Sequence, residues 1–143
     1  VKRVLLDTNV FIIGFLDLHS PEARLLESIS KTSDIVLVFS NDLEEQLRRV
    51  GKRVQSKDWV GQLLNRIWRD YRLEYVYISP EEMGDVEVIS NIPKEDIGIY
   101  LTALRGRADF FISANRQLIQ EAAAKQKKFE CFDAESFMTK ILS

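Results

Sequence analysis

A chain of 143 residues with 45% hydrophobic and 29% charged side chains has the material for one folded domain with a real core. A single cysteine, Cys131, and a single histidine, His19, exclude an intramolecular disulfide, a cysteine–histidine zinc site and a dithiol redox motif, so a reducing, cytoplasmic setting is expected. The net charge of -2 argues against a uniformly basic nucleic-acid binder. The apolar stretch from Val4 to Leu16 is interrupted by Asp7, Thr8 and Asn9 and is too short to span a membrane or to act as a signal peptide.

Short apolar runs alternate with longer helical patterns. Arg3 to Leu6 is the first predicted strand, and it runs into Asp7-Thr8-Asn9, a turn whose Thr and Asn side chains can bond the backbone and start a helix. His19 falls in the loop Leu18-His19-Ser20-Pro21, where solvation is expected. Ser20 as N-cap and Pro21 in the first turn then open a helix over Pro21 to Ser30. Ile35 to Phe39 is the second strand. From Asn41 to about Val54, Leu43, Leu47, Val50 and Val54 form one helical stripe, and Trp59 to Tyr71 gives a second helix through Val60, Leu63, Leu64, Ile67 and Trp68. A strand over Tyr75 to Ile78 and an extended polar loop over Pro80 to Asn91 follow. Asp96 to Arg105 is helical, with Gly106 placed to stop it. A strand over Phe110 to Ser113, a helix over Asn115 to Lys125, a weaker strand near Phe129 to Phe132 and a helix over Ala134 to Leu142 complete the chain.

That alternation predicts a single α/β domain: a parallel sheet of about four to five strands with helices on both faces. The right-handed crossover rule puts Arg3 to Leu6 in its centre, beside the strands near Ile35 and Phe110. An Asp directly after a buried strand lies at the carboxyl edge of the sheet, where open α/β folds place their ligands. On these residues alone, Asp7-Thr8-Asn9 reads equally well as a strand-ending turn with a helix cap.

Asp96 at a helix start and Asp109, ahead of the strand that leads through Ser113 to Asn115, can converge with Asp7. Several oxygen ligands around one point suit magnesium or manganese, which can hold a phosphodiester and lower the pKa of an attacking water. With no usable His or Cys, hydrolysis by such a water is the expected chemistry. Asp109 also has a second reading, as a cap or backbone partner at the strand start. The cations Arg48, Arg49, Lys52, Arg53, Lys57, Arg66, Arg69 and Arg72 fall in one third of the chain. They either face phosphates or form the solvated sides of two helices.

The order of these segments resembles the PIN domain, a metal-dependent ribonuclease fold found in RNA-processing factors and in toxins of toxin–antitoxin pairs. The resemblance rests on Val4-Leu5-Leu6-Asp7-Thr8-Asn9, on Pro93-Lys94-Glu95-Asp96 entering Ile99-Tyr100-Leu101-Thr102-Ala103-Leu104, on Ala108-Asp109-Phe110-Phe111-Ile112-Ser113-Ala114-Asn115, and on Phe132-Asp133-Ala134-Glu135-Ser136-Phe137. It covers nearly the whole chain. It implies an endoribonuclease with magnesium or manganese at Asp7, Asp96 and Asp109, with Asn115 in the catalytic set. Asn9, Ser113, Gln46, Glu44, Arg48 and Arg49 would support ligands or substrate. The implied partners are RNA, an antitoxin or other protein, and a second copy in a homodimer.

Two positions depart from the family pattern. Where its last acidic position is usually Asp, this chain has Asn115, and the Glu of the helix after the second strand falls on Gln46. At 100° per residue, Gln46 lies about 60° from the apolar stripe, Glu44 about 100° to its other side, and Glu45 points away. Gln46 is therefore expected to border the core. With two carboxylates replaced by amides, one metal ion remains feasible and a two-metal clamp does not. The alternative function is a PIN-like module with little or no catalysis that binds RNA or protein. A phosphotransferase of the haloacid-dehalogenase type also begins with an Asp after an apolar strand, but wants a second Asp where Asn9 stands.

Overall fold

The computed structural model describes residues 1–84 and 94–142. β1 (Lys2–Leu6) is the central strand of a five-stranded sheet, between β2 (Ile35–Ser40) and β4 (Phe110–Ile112), with β3 (Leu73–Val76) and β5 (Glu130–Phe132) at the edges. Every pairing is parallel. All six residues of β2 are buried, as are Val4, Leu5 and Leu6 of β1. This is why both read as unbroken apolar runs: a parallel strand covered on both faces has no solvent side to alternate with. The expected α/β class and the expected neighbours of the first strand are both found.

The helices are α1 (Thr8–Leu16), α2 (Pro21–Ser30), α3 (Asn41–Val54), α4 (Lys57–Asp70), α5 (Lys94–Arg105), α6 (Arg116–Lys125) and the short α7 (Ala134–Phe137). Their starts are set by short polar side chains that take an otherwise unpaired backbone N–H. Ser20, Ser40, Ser56, Asn115 and Asp133 accept from Ala23, Leu43, Trp59, Leu118 and Ser136. The predicted last helix continues from α7 into a π-helical turn at Met138–Leu142.

Two expectations are corrected. The third strand begins at Leu73, two residues before the predicted start, because the ladder from Leu37↔Leu73 to Ser40↔Val76 sets its register rather than the apolar run. Tyr77 instead lies outside the strand, and Ile78 is held by Asn41, which bonds both its N–H and its carbonyl. The polar loop expected from Pro80 is helical over 80–84, since the Ser79 hydroxyl caps it by accepting from Glu82. The rest of that expected loop lies outside the described residues.

α5 runs down the sheet against β2. Thr102 Oγ1 meets Ser40 Oγ at 2.8 Å, and a Cβ on Gly106 would collide with Val38. Gly106 is needed for this close approach and not for a left-handed turn. The left-handed residue is Arg107, at φ 53°, inside a Schellman closure in which Ala108 N–H bonds Ala103 and Arg107 N–H bonds Leu104. A non-glycine residue there costs about 1 kcal/mol. Arg107→Gly is expected to raise the melting temperature by roughly 3 °C, as a thermal scan would show.

Below this turn, Arg3 clasps the base of the sheet. Its guanidinium pairs with Glu74 and donates to the Gly106 carbonyl, with Nε at 2.8 Å. The core between sheet and helices is rich in aromatic edge contacts, among them Phe11–Phe39, Phe111–Phe129 and the triangle of Phe110, Phe132 and Phe137. Among the described residues no helix is long and apolar enough to cross a membrane.

Candidate active site

Asp7 follows β1 at the carboxyl edge and is 5% exposed. It also caps α1: one carboxylate oxygen accepts from Thr8 N–H at 2.7 Å and the other from Ser113 Oγ at 2.8 Å. Ser113 lies just past β4, so this second bond ties two neighbouring strand ends together. Asn9 adds two more links, donating to Ser113 Oγ at 3.3 Å and accepting from Ala114 N–H at 3.1 Å. Asp7, Asn9 and Ser113 are thus one hydrogen-bonded unit. Burial pushes the Asp7 carboxyl above its ordinary range, and the hydrogen bonds from Ser113, Thr8 and Asn9 only partly offset it.

Continuing the β1–β2 register from Val4↔Leu37 puts Asp7 level with Ser40, the cap of α3. In the first turn of α3, the Asp42 carboxylate receives a 2.7 Å hydrogen bond from Gln46 Nε2 and lies against Gly98 of α5, where any Cβ would strike it. Burial raises the Asp42 carboxyl, against the Gln46 hydrogen bond. Asp42 was not among the residues singled out from the sequence. The available signal was its i, i+4 relation to Gln46, which puts both on one helix face.

Gln46 is half-buried at the border of the core and Glu45 is exposed, as the helical-face argument requires. Glu44 turns to the other side, where it pairs with Arg48 at 3.5 Å. Arg48 and Arg49 are exposed on the same helix.

Asp96 is in the first turns of α5. Going back up that helix, Gly106 meets Val38, Thr102 meets Ser40 and Gly98 meets Asp42, so Asp96 stands at the same sheet edge as Asp7. Asp96 forms part of the wall of a small apolar pocket of about 30 Å³, with Tyr100, Phe111, Leu118 and Phe129. Asp7 is not one of its walls.

Asp109 is not brought to this edge. It precedes a strand parallel to β1 and so stands at the amino edge, where its carboxylate accepts from Arg3 N–H at 2.9 Å and its own N–H bonds the Arg3 carbonyl. Asn115 is at the correct edge but exposed, with its side-chain oxygen taken by Leu118 N–H as the cap of α6. His19 is exposed in the α1–α2 turn, away from these groups.

The donors at the carboxyl edge are hard oxygens: the carboxylates of Asp7, Asp42 and Asp96, with amides at Gln46 and Asn115. Asp7 and Asp42 form no ion pair with Lys or Arg among the described residues, and both are raised by burial. Buried negative charge without a cation suits a divalent ion. No three acidic, His or Cys side chains are gathered tightly enough to close around a metal among the described residues.

No family model matches the sequence, and no curated protein matches it either. The fold does match a solved structure, the crystal structure of VapBC2 from Rickettsia felis bound to a DNA fragment from their promoter. The match has a TM-score of 0.66 and 16% identity, over 92% of this chain and 98% of that one. At that identity the likeness is one of fold, and it agrees with the parallel α/β architecture described above.

Proposed function

We propose that this protein is a PIN-type endoribonuclease that hydrolyses RNA phosphodiesters with one divalent ion, magnesium or manganese. The observation that carries the reading is the buried, cation-lacking Asp7 carboxylate, fixed by Ser113 and Thr8 at the carboxyl edge that Asp42 and Asp96 share. Asp7 and Asp96 would hold the ion, with Asp42 supplying further negative charge. A bound ion would act as Lewis acid on the phosphate and lower the pKa of the attacking water. Ser113 and Asn9 keep the Asp7 carboxylate in one orientation, so no reorganisation is needed when substrate arrives. Gln46 does the same for Asp42. The exposed cations of α3 would attract the RNA backbone.

The fold likeness to VapBC2, seen bound to a DNA fragment from their promoter, supports a protein partner of antitoxin type. A second reading, a weakly catalytic or inactive RNA- or protein-binding module, is favoured by Gln46 and Asn115. Both amides are committed to holding the fold rather than presenting charge.

Manganese calorimetry combined with cleavage of an end-labelled RNA separates the two. A metal-dependent cut that Asp96→Asn abolishes supports the enzyme, and metal-independent RNA binding without a cut supports the module. Restoring charge gives a graded version of the test. Asn115→Asp keeps the cap, because Asp serves there as well as Asn, and Gln46→Glu replaces a donor to Asp42 with a second carboxylate. Each is expected to tighten manganese binding by roughly tenfold, about 1.4 kcal/mol. Gln46→Glu is also expected to lower the melting temperature of the metal-free protein, since it sets two like charges side by side.

A further inference from the structure

Three of the large apolar side chains left most exposed among the described residues are neighbours. Trp68 of α4 is 50% exposed, Tyr75 of β3 is 41% exposed, and Tyr77 just beyond β3 is 62% exposed. Trp68 and Tyr75 already stack, with ring centroids 5.7 Å apart and planes 26° from parallel, while Tyr75 is backed by the core ring of Phe39 at 6.2 Å. Glu44 and Arg48 are within electrostatic range of the Tyr75 hydroxyl, so the aromatic group adjoins α3. The next residues along that helix surface, Arg49 and Lys52, are exposed cations that flank a shallow pocket with Arg48 and Glu45.

We propose that Trp68, Tyr75 and Tyr77, with Arg48, Arg49 and Lys52 beside them, form a stacking platform for unpaired RNA bases. The inference rests on the nuclease reading for its choice of RNA, and it specifies single strands as the substrate class. Rigid, half-exposed aromatic rings interleaved with cations are how proteins hold single strands, because every base offers a π-face and every linkage a charge. Arg48 is shared with Glu44, and the exposed Arg49 and Lys52 are charges that a purely apolar protein surface would leave unmatched and a phosphodiester chain would match. The platform is continuous with the candidate site: Asn41 holds Ile78 at the start of α3, one residue from Asp42 and one from Tyr77. β3 is two strands from β1, about 10 Å at the usual strand spacing, so a strand stacked at Tyr77 needs only a short run to bring a phosphate to Asp7.

The test is fluorescence anisotropy of labelled oligouridine, and of an RNA duplex of equal length, with the full chain and no divalent metal so that nothing is cut. The single strand is expected to bind more tightly than the duplex. Trp68→Ala and Tyr75→Ala should each weaken it about tenfold with the circular dichroism unchanged. Tyr77→Ala, at the most exposed of the three, serves if either of the others disturbs folding. Charge removal by Arg49→Gln with Lys52→Gln should flatten the dependence of affinity on salt. Equal affinity for duplex and single strand, or affinity unchanged by all three aromatic substitutions, overturns the proposal. So does sedimentation showing that these substitutions dissolve a dimer while RNA affinity stays the same, which would make the surface a contact between copies. If the wild type binds oligouridine through these rings but never cuts with manganese present, the nuclease reading falls and the platform stands. If it cuts and the rings do not matter, the reverse holds.

Discussion

Asp7→Asn is expected to abolish RNA cleavage and at the same time to make the protein more stable. On the proposed nuclease function, loss of the carboxylate that would anchor the metal removes several kcal/mol of transition-state stabilisation, so the rate should fall by roughly 10²–10³. The stability change has the opposite sign. Burial raises the Asp7 carboxyl above its unfolded value despite three hydrogen-bonding neighbours, so the desolvation cost exceeds what those bonds return. For an acid with a raised folded pKa, the folded state binds more protons. Stability is therefore greatest below the unfolded pKa and declines as pH climbs through the window up to the folded one. An amide of the same shape escapes that decline. Metal-free Asp7→Asn should melt higher than the wild type at neutral pH, and the gap should close on acidification. Excess manganese should stabilise the wild type and not the variant. A variant that melts lower than wild type at neutral pH would mean that the Ser113 bond outweighs the buried charge.

Phe111→Ala should cost more stability than any surface change. Phe111 is 1% exposed in β4, packs edge-on to Phe129 at 6.4 Å, and forms the floor of the small pocket beside Asp96. Truncating a buried Phe typically costs 3–5 kcal/mol, about a third or more of the stability of an ordinary domain. The melting temperature should drop by roughly 10 °C in calorimetry. Because the same ring supports the floor between α5 and α6, manganese affinity at Asp96 should weaken as well. A normal affinity in a protein that has lost this much stability would separate the pocket from the site.

The central strands and the Asp7 turn were legible because burial on both faces leaves an unmistakable apolar run, and the residue ending it has only one place to go. β3 was displaced by two residues because an edge strand is specified by its partner's hydrogen bonds, and its own side chains, half in water, do not mark where pairing begins. Asp109 was misplaced for a reason of polarity. Asp109 is near β4 in sequence, yet in a parallel sheet a residue before a strand stands at the opposite edge from a residue after it, and the backbone role at the strand start is the one found. Asp42 was not legible because an acid in the first turn of a helix reads simply as a favourable partner of the helix dipole. The packing of Gly98 against α3 and the hydrogen bond from Gln46 place a carboxylate there. Gly106 invited the simple reading of a left-handed stop, whereas its small size serves contact with Val38 and Arg107 makes the turn.

The clasp at the base of α5 has a mechanical consequence. Arg3 grips the Gly106 carbonyl, Arg107 and Ala108 close the last turn, and Asp109 is bonded to the first strand, so the lower end of the helix is a fixed fulcrum. Asp96 is ten residues up the shaft, a lever arm of about 15 Å at the α-helical rise. Each degree of tilt about the fulcrum therefore carries its carboxylate about 0.3 Å, already beyond the roughly 0.2 Å tolerance of a metal–oxygen bond. Contacts that set the angle of this one rod, such as Ser40 on Thr102, would accordingly govern metal affinity with leverage rather than charge as their means.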